Sequence, residues 1–113
     1  VTGPYREVRD DQWFENRIDP MVFRDEDGRL YLYMVKFTDG NTIWGRPMNQ
    51  DFTFSGDAVQ QFSSQPGTWE TYDNRVAEGP FVIKYRGRYC IMLIIHHHPL
   101  AIIVWVYARP AVP

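Results

Sequence analysis

Apolar residues fall in short runs or alternate with polar residues along most of the chain, and none of these stretches has the 3.6-residue period of an amphipathic helix. The run Leu30–Val35 lies between two polar segments, Asp25–Gly28 and Asp39–Asn41. Both segments predict tight turns, because Asp tolerates left-handed backbone and Gly supplies positive φ. The pattern therefore predicts an all-β chain of antiparallel strands joined by hairpins.

The predicted strands form one complete unit and the start of a second. The first unit contains, in order, Val22–Phe23, Leu30–Val35, Thr42–Arg46 and an outer strand between Phe52 and Phe62. After a break at Pro66-Gly67, Phe81–Met92 repeats the first hairpin: an apolar strand, a charged turn ending in Gly-Arg, and an aromatic-containing strand. This arrangement predicts an antiparallel four-stranded blade of a β-propeller plus part of the next blade, with residues 1–113 as a single partial domain.

Each predicted unit opens on an acidic turn that ends in proline, Ile18–Pro20 in the first and Ala77–Pro80 in the second. The two prolines lie 60 residues apart, so we expect a carboxylate at the same corner of both units. A repeated scaffold that directs acids to one place favours acid–base chemistry. The alternative is that each carboxylate only stabilises its own turn.

Composition narrows the classes of function. The chain has 113 residues, of which 44% are hydrophobic and 16% aromatic, which excludes disorder and fits one small domain. A net charge of −2 and the lack of a basic run argue against a nucleic-acid partner. The apolar run Leu100–Ala108 is too short to cross a bilayer as a helix, so we expect no membrane partner. A single cysteine, Cys90, excludes an intrachain disulfide.

Two segments together resemble glycoside hydrolase family 43. The first is similar to the family's IDP…F.D.DG..YL segment and consists of Ile18-Asp19-Pro20, Phe23, Asp25, Asp27-Gly28 and Tyr31-Leu32. The second is similar to its WE…EGP…G.Y segment and consists of Trp69-Glu70, Glu78-Gly79-Pro80 and Gly87-Arg88-Tyr89. Each motif alone is weak, but their order and one-blade spacing are fairly specific. The resemblance covers residues 3–93.

The resemblance implies a fragment of a five-bladed β-propeller with three acidic residues at one end of the central tunnel. It makes Glu78 the general acid and Asp19 the pKa modulator of that acid, since a neighbouring negative charge keeps a carboxylic acid protonated. The third residue, a general base, has no matching motif. Asp10 and Asp11 lack the family's flanking pattern and are not assigned to that role.

The resemblance also implies a function. The parent enzyme would hydrolyse arabinosyl, xylosyl or galactosyl linkages in plant polysaccharides by an inverting acid/base mechanism, with an oligo- or polysaccharide as its substrate and a secreted or periplasmic location. Without an identified base, we expect the isolated chain to be inactive. No cofactor is expected, and no ligands are identified for the structural calcium of the complete family fold.

Other candidate residues carry weaker signals. Trp44 and Trp69 are candidate sugar-stacking platforms, with packing inside the blade as the alternative. The acidic turn Asp25–Asp27 lacks a complete cation-binding pattern and is predicted to be solvated. The three residues His96–His98 would point alternately to opposite faces of a strand, which argues against a shared metal.

The last segment, residues 94–113, departs from the family pattern. One hypothesis is a shifted reading frame after about residue 93, since the codons of Trp105 and Val106 must encode Gly when read two nucleotides later. Two alternatives to the enzyme stay open. One is a non-catalytic propeller module that binds carbohydrate or protein, and the other is a sheet fragment that self-associates through open edges.

Overall fold

The computed structural model describes residues 2–6, 16–97 and 100–108. The predicted all-β architecture is confirmed within these residues, which form two antiparallel sheets and one turn of 3-10 helix, Trp69–Thr71. The described residues include no helix long and apolar enough to cross a membrane. The strands are β1 (Arg17–Arg24), β2 (Leu30–Thr38), β3 (Gly40–Met48), β4 (Val59–Phe62), β5 (Ala77–Tyr85), β6 (Arg88–His97) and β7 (Leu100–Ala108).

The first sheet has the order β1-β2-β3-β4 and corresponds to the predicted blade. Its second strand is buried on both faces from Leu30 to Val35, which explains why this strand is a continuous apolar run rather than an alternating one. The predicted turn follows β1, where Gly28 has a φ of 86° and its N–H donates to the Asp25 carbonyl at 2.9 Å.

The outer strand is shorter than the sequence predicts. Val59–Phe62 alone forms β4, while Phe54 makes a single isolated bridge to Met48. The difference arises from a local turn after β3, in which the Phe52 N–H donates to the Asn49 carbonyl at 3.0 Å. This turn bends the chain away from the sheet before β4 begins.

The second sheet has the order β5-β6-β7. Its first two strands are the predicted second hairpin, and the backbone of β7 pairs antiparallel with β6 from Leu100 to Ala108. Within the atypical last segment, Leu100–Ala108 is therefore the partner of a strand that begins in the family-like part of the chain. The reading-frame hypothesis stays a prediction about the gene.

The core lies between the two sheets. Alternate residues of β2 contribute Tyr31, Tyr33 and Val35, and burial raises the pKa of the Tyr33 hydroxyl to about 12. Each fully buried aliphatic side chain contributes roughly 1.5–3 kcal/mol relative to its exposed state. The two sheets share this core, and their first strands, β1 and β5, lie next to each other. The other buried members of the core are Ile43, Ala77, Val82, Ile91, Leu93 and Ile95.

Ionic contacts of Lys84 with Asp25 and Glu26 join the sheets at the end of β1. The Asp25 carboxylate is 5% exposed, lies 2.8 Å from the Lys84 ammonium and accepts a hydrogen bond from the Tyr89 hydroxyl. These two partners lower the pKa of Asp25 from 3.8 to about 2, and the carboxylates of Asp25 and Glu26 raise the pKa of Lys84. The prediction of a solvated turn is therefore wrong for Asp25, because the second sheet covers this residue and supplies its hydrogen-bond donors.

Candidate active site

Strands β1 and β5 carry the same irregularity. Between Ile18 and Met21, β1 has one residue more than the segment of β2 that it faces, which is a β-bulge. The strand β5 has the same extra residue between Glu78 and Phe81. A bulge at the same place in both units places the acidic turns at neighbouring corners of the two sheets.

The two carboxylates are one residue out of register within this repeat. Asp19 and Gly79 occupy the equivalent bulge position, with φ of 51° and 59°, so the counterpart of Glu78 is Ile18. The expectation of a carboxylate at the same corner therefore holds only approximately. Because neighbouring positions of a strand project differently, the offset gives Asp19 and Glu78 different surroundings.

Asp19 connects the two corners. Its Oδ2 accepts a hydrogen bond from the Gly79 N–H at 2.9 Å. The residue in the bulge of the first sheet thus binds the backbone in the bulge of the second, directly after Glu78. This contact fixes the distance between the candidate pKa modulator and the backbone that carries the candidate general acid.

Glu78 is half-buried and its carboxylate is held by a neutral donor. The Asn41 side-chain amide donates to Glu78 Oε1 at 2.5 Å. Asn41 lies at the start of β3, close to the tip of the β2–β3 hairpin. The acid therefore belongs to one sheet and its amide partner to the other.

The tip of the β2–β3 hairpin is docked on the segment that leads into β5. The Asn41 N–H donates to the Arg75 carbonyl at 2.9 Å, and the Arg75 guanidinium contacts the Asp39 carboxylate and the Ser63 hydroxyl. Gly40 has a φ of 80°, and a Cβ at this position would lie 2.3 Å from the Arg75 carbonyl oxygen. Only glycine permits so close an approach of the two backbones.

The two candidate sugar-stacking residues have different surroundings. Trp44 is half-buried, its Nε1–H donates to the Thr42 hydroxyl at 2.8 Å, and the Lys36 ammonium lies 3.9 Å from its ring centroid. Burial, with Arg17 and Arg46 nearby, lowers the pKa of Lys36. Trp69 is 47% exposed and begins the 3-10 helix that packs on β6. One face of Trp44 is thus already occupied by a cation.

Other candidates are not brought into this site. Asp10, Asp11 and His98 lie outside the described residues, as do the side chains of His96 and His97. Among the side chains that are described, no group of three or more His, Cys, Asp or Glu residues is placed to hold a metal ion. Cys90 is a half-buried free thiol in β6.

Residues 1–97 match the model of the family described as Glycosyl hydrolases family 43. The chain belongs to glycoside hydrolase family 43. The match includes both acidic turns and the first four residues, 94–97, of the atypical last segment. The predicted resemblance is therefore confirmed.

Two solved enzyme structures share the fold of this chain. Over 93% of its length the chain matches 41% of an endo-1,4-β-xylanase from Bacteroides thetaiotaomicron VPI-5482, with a TM-score of 0.72 and 31% sequence identity. Over 79% of its length it matches 32% of a thermostable family-43 glycoside hydrolase, with a TM-score of 0.66 and 31% identity. The predicted fold class is confirmed, and the chain spans less than half the length of either enzyme. A comparison with curated proteins gives no significant match.

Sequence reasoning missed the family-43 chain's contacts between sheets. Asn41 was read only as part of a hairpin turn, because its contact with Glu78 joins residues 37 positions apart. Lys84 and Tyr89 lie in the second hairpin, and their contacts with Asp25 join residues 59 and 64 positions apart. A single sequence contains no signal for such pairings, although the Asp39-Gly40-Asn41 turn marks where one of them begins.

Proposed function

We propose that this chain carries the acid-catalysis part of a family-43 glycoside hydrolase that cleaves glycosidic bonds in plant polysaccharides. Glu78 is the general acid, and Asp19 is the residue that positions and tunes it. The observation that carries the proposal is the pairing of the two acidic turns, in which the Asp19 carboxylate accepts the N–H of the residue next to Glu78.

The surroundings of Glu78 suit a proton donor. Asn41 donates to Oε1, which leaves Oε2 as the oxygen that can carry the proton to the leaving group. In the inverting reaction, the acid protonates the glycosidic oxygen while a base activates water on the other face of the sugar. The two carboxyl groups are then roughly 6.5–9.5 Å apart, which leaves room for the water. No residue of this chain is assigned as that base.

Xylan is the first substrate to test. The similar structure from Bacteroides thetaiotaomicron is named as an endo-1,4-β-xylanase, and it shares 31% of its residues with the chain over the matched part. Arabinosyl and galactosyl linkages are the other substrates implied by the family resemblance. Trp69 offers an exposed aromatic face of the kind that stacks on sugar rings, and it remains the better placed of the two tryptophans for that role.

The test uses a hybrid enzyme in which this chain replaces the matching segment of the Bacteroides thetaiotaomicron xylanase. Glu78→Gln keeps the shape of the side chain and removes its proton. We expect hydrolysis of xylo-oligosaccharides to fall about 10²–10⁴-fold, the usual contribution of general acid catalysis. A dinitrophenyl xyloside, whose leaving group needs no proton, should lose much less.

The same experiment separates the enzyme from a non-catalytic carbohydrate-binding module. Unchanged turnover of both substrates by Glu78→Gln, with the melting temperature of the unsubstituted hybrid, would refute the role of Glu78. Xylo-oligosaccharide binding without hydrolysis in the unsubstituted hybrid would support the binding module instead.

A further inference from the structure

We propose that Asn41 is the positioning residue of Glu78 and that the first sheet thereby sets the orientation of the acid carried by the second. This inference rests on the proposed role of Glu78 as general acid. It adds a residue outside the two acidic turns, contributed by a hairpin tip that neither motif includes.

The chemistry of the contact is specific. An ionised carboxylate only accepts hydrogen bonds, so the Asn41 Nδ2, at 2.5 Å from Glu78 Oε1, serves as its donor. When Glu78 is protonated, the same amide can donate to the carbonyl oxygen of the acid and leave the hydroxyl oxygen for the substrate. A neutral donor can thus hold Glu78 in one orientation both before and after the carboxyl group gives up its proton.

Asn41 is itself held by main-chain contacts. Its N–H donates to the Arg75 carbonyl at 2.9 Å, three residues before Glu78. The neighbouring Gly40 allows the hairpin tip to touch the Arg75 backbone, and Arg75 in turn contacts Asp39 and Ser63. The amide is therefore fixed relative to the same segment that carries the acid, which is the requirement for a positioning residue.

The contact is tested first in the 113-residue chain, by following side-chain amide resonances of ¹⁵N-labelled protein through a pH titration. We expect the Asn41 resonance to follow the ionisation of Glu78 and to lose this response in Glu78→Gln. Asn49 is the matched control, since its Nδ2 donates to the Thr53 hydroxyl at 2.9 Å in the turn after β3. Its response should be the same in both proteins.

The positioning role is tested by hydrolysis in the hybrid enzyme. Asn41→Ala should lower kcat for xylo-oligosaccharides about 10–100-fold, because the Glu78 carboxyl group would no longer be held in its reactive position. KM should change little. The dinitrophenyl xyloside should be hydrolysed at nearly the original rate, because it does not need the proton. Asn41→Gln keeps the amide donor and should recover part of the loss, while Asn49→Ala should leave both substrates unaffected.

The outcomes distinguish this inference from the proposed function. Two results would overturn the positioning role while leaving Glu78 as the acid. One is an Asn41 resonance whose pH response is the same in Glu78→Gln, and the other is an Asn41→Ala variant that hydrolyses both substrates more slowly by the same factor. A Glu78→Gln variant with unchanged hydrolysis would refute the proposed function itself. Slower hydrolysis of xylo-oligosaccharides but not of the dinitrophenyl xyloside by Asn41→Ala, together with an Asn41 resonance that responds to Glu78, would support both the positioning role and the proposed function.

Discussion

Strand β1 has an aspartate at each end, and the second sheet supplies hydrogen-bond donors to both. Asp25, just after the strand, is buried and accepts from the charged Lys84 and from Tyr89. Asp19, near its start, is exposed and accepts from the backbone N–H of Gly79. Two residues of the same type thus join the same two sheets in different ways.

This difference indicates what each aspartate contributes to the stability of the interface and to the position of the candidate acid. A buried carboxylate that accepts hydrogen bonds from charged and neutral donors raises the stability of the folded state, since its neutralisation weakens each of those buried hydrogen bonds. An exposed carboxylate on a main-chain N–H contributes little stability, but it defines where the next residue lies. We therefore expect substitution of the Asp25 carboxylate to affect unfolding and substitution of the Asp19 carboxylate to affect hydrolysis.

The largest effect on stability should come from Gly40→Ala, at the Asp19 end. The added Cβ would lie 2.3 Å from the Arg75 carbonyl oxygen, at a φ of 80°. Overpacking and backbone strain together should lower the free energy of unfolding by roughly 2–4 kcal/mol, measured by urea titration. Gly28→Ala is the control, because its φ is 86° but nothing lies within 4 Å of the new Cβ. A loss as large at Gly28 would show that strain alone, rather than the docked hairpin, is responsible.

Asp25→Asn should come next, with a loss of about 1.5–3 kcal/mol in the free energy of unfolding at neutral pH. The lowered pKa gives this effect a pH dependence. Asp25 titrates near 3.8 when unfolded and near 2 when folded, so its contribution is fully present above pH 4 and disappears as the pH falls toward 2. Urea titrations between pH 7 and pH 2 should show the two proteins converging in acid. A difference that is independent of pH would contradict the ionic contact.

Substitutions of Asp19, in contrast to Asp25→Asn, should lower the rate of hydrolysis more than the stability. Asp19→Ala removes both the charge and the acceptor of the Gly79 N–H, whereas Asp19→Asn keeps an acceptor. Because the side chain is exposed, we expect either change to cost at most about 1 kcal/mol of stability. Hydrolysis of xylo-oligosaccharides by the hybrid should fall in both, and further in the alanine variant. Equal rates in the two variants would mean that the charge, and not the hydrogen bond, is what Asp19 supplies.

The smallest effect is expected from Asp27→Asn. Asp27 lies in the same turn as Asp25, but its partner Arg29 is in the same hairpin and both side chains are exposed. Arg29 lowers the pKa of Asp27. Because water screens this pair, the melting temperature should not change measurably. A clear decrease would show that the turn as a whole, rather than Asp25 alone, holds the sheets together.

The sequence was sufficient for the local elements. The turn at Asp25–Gly28 and the run Leu30–Val35 predicted a hairpin, and the structure contains it, because tight turns and buried strands depend on neighbouring residues. The outer strand was predicted too long, since the apolar Phe52 and Phe54 concealed a turn closed by main-chain hydrogen bonds.

The contacts between the two sheets could not be predicted from the sequence. Asp25 was predicted to be solvated because its turn lacks a complete cation-binding pattern, whereas Lys84 reaches it from the second sheet. Glu78 and Asp19 were selected through the family motifs, and their catalytic roles stay predictions. Asn41 was not selected, because its significance depends on how one hairpin tip docks on the other sheet.

The contact between Asn41 and Glu78 has a consequence for split proteins. If the chain were cut in the connection between β4 and β5 and the two pieces were produced separately, each would carry one half of this hydrogen bond. In the hybrid enzyme, the full rate of the proposed proton donation by Glu78 would then return only after the pieces had reassembled with their hairpin and bulge in register. Turnover by a hybrid enzyme cut at this connection would therefore report whether the two neighbouring blades have joined.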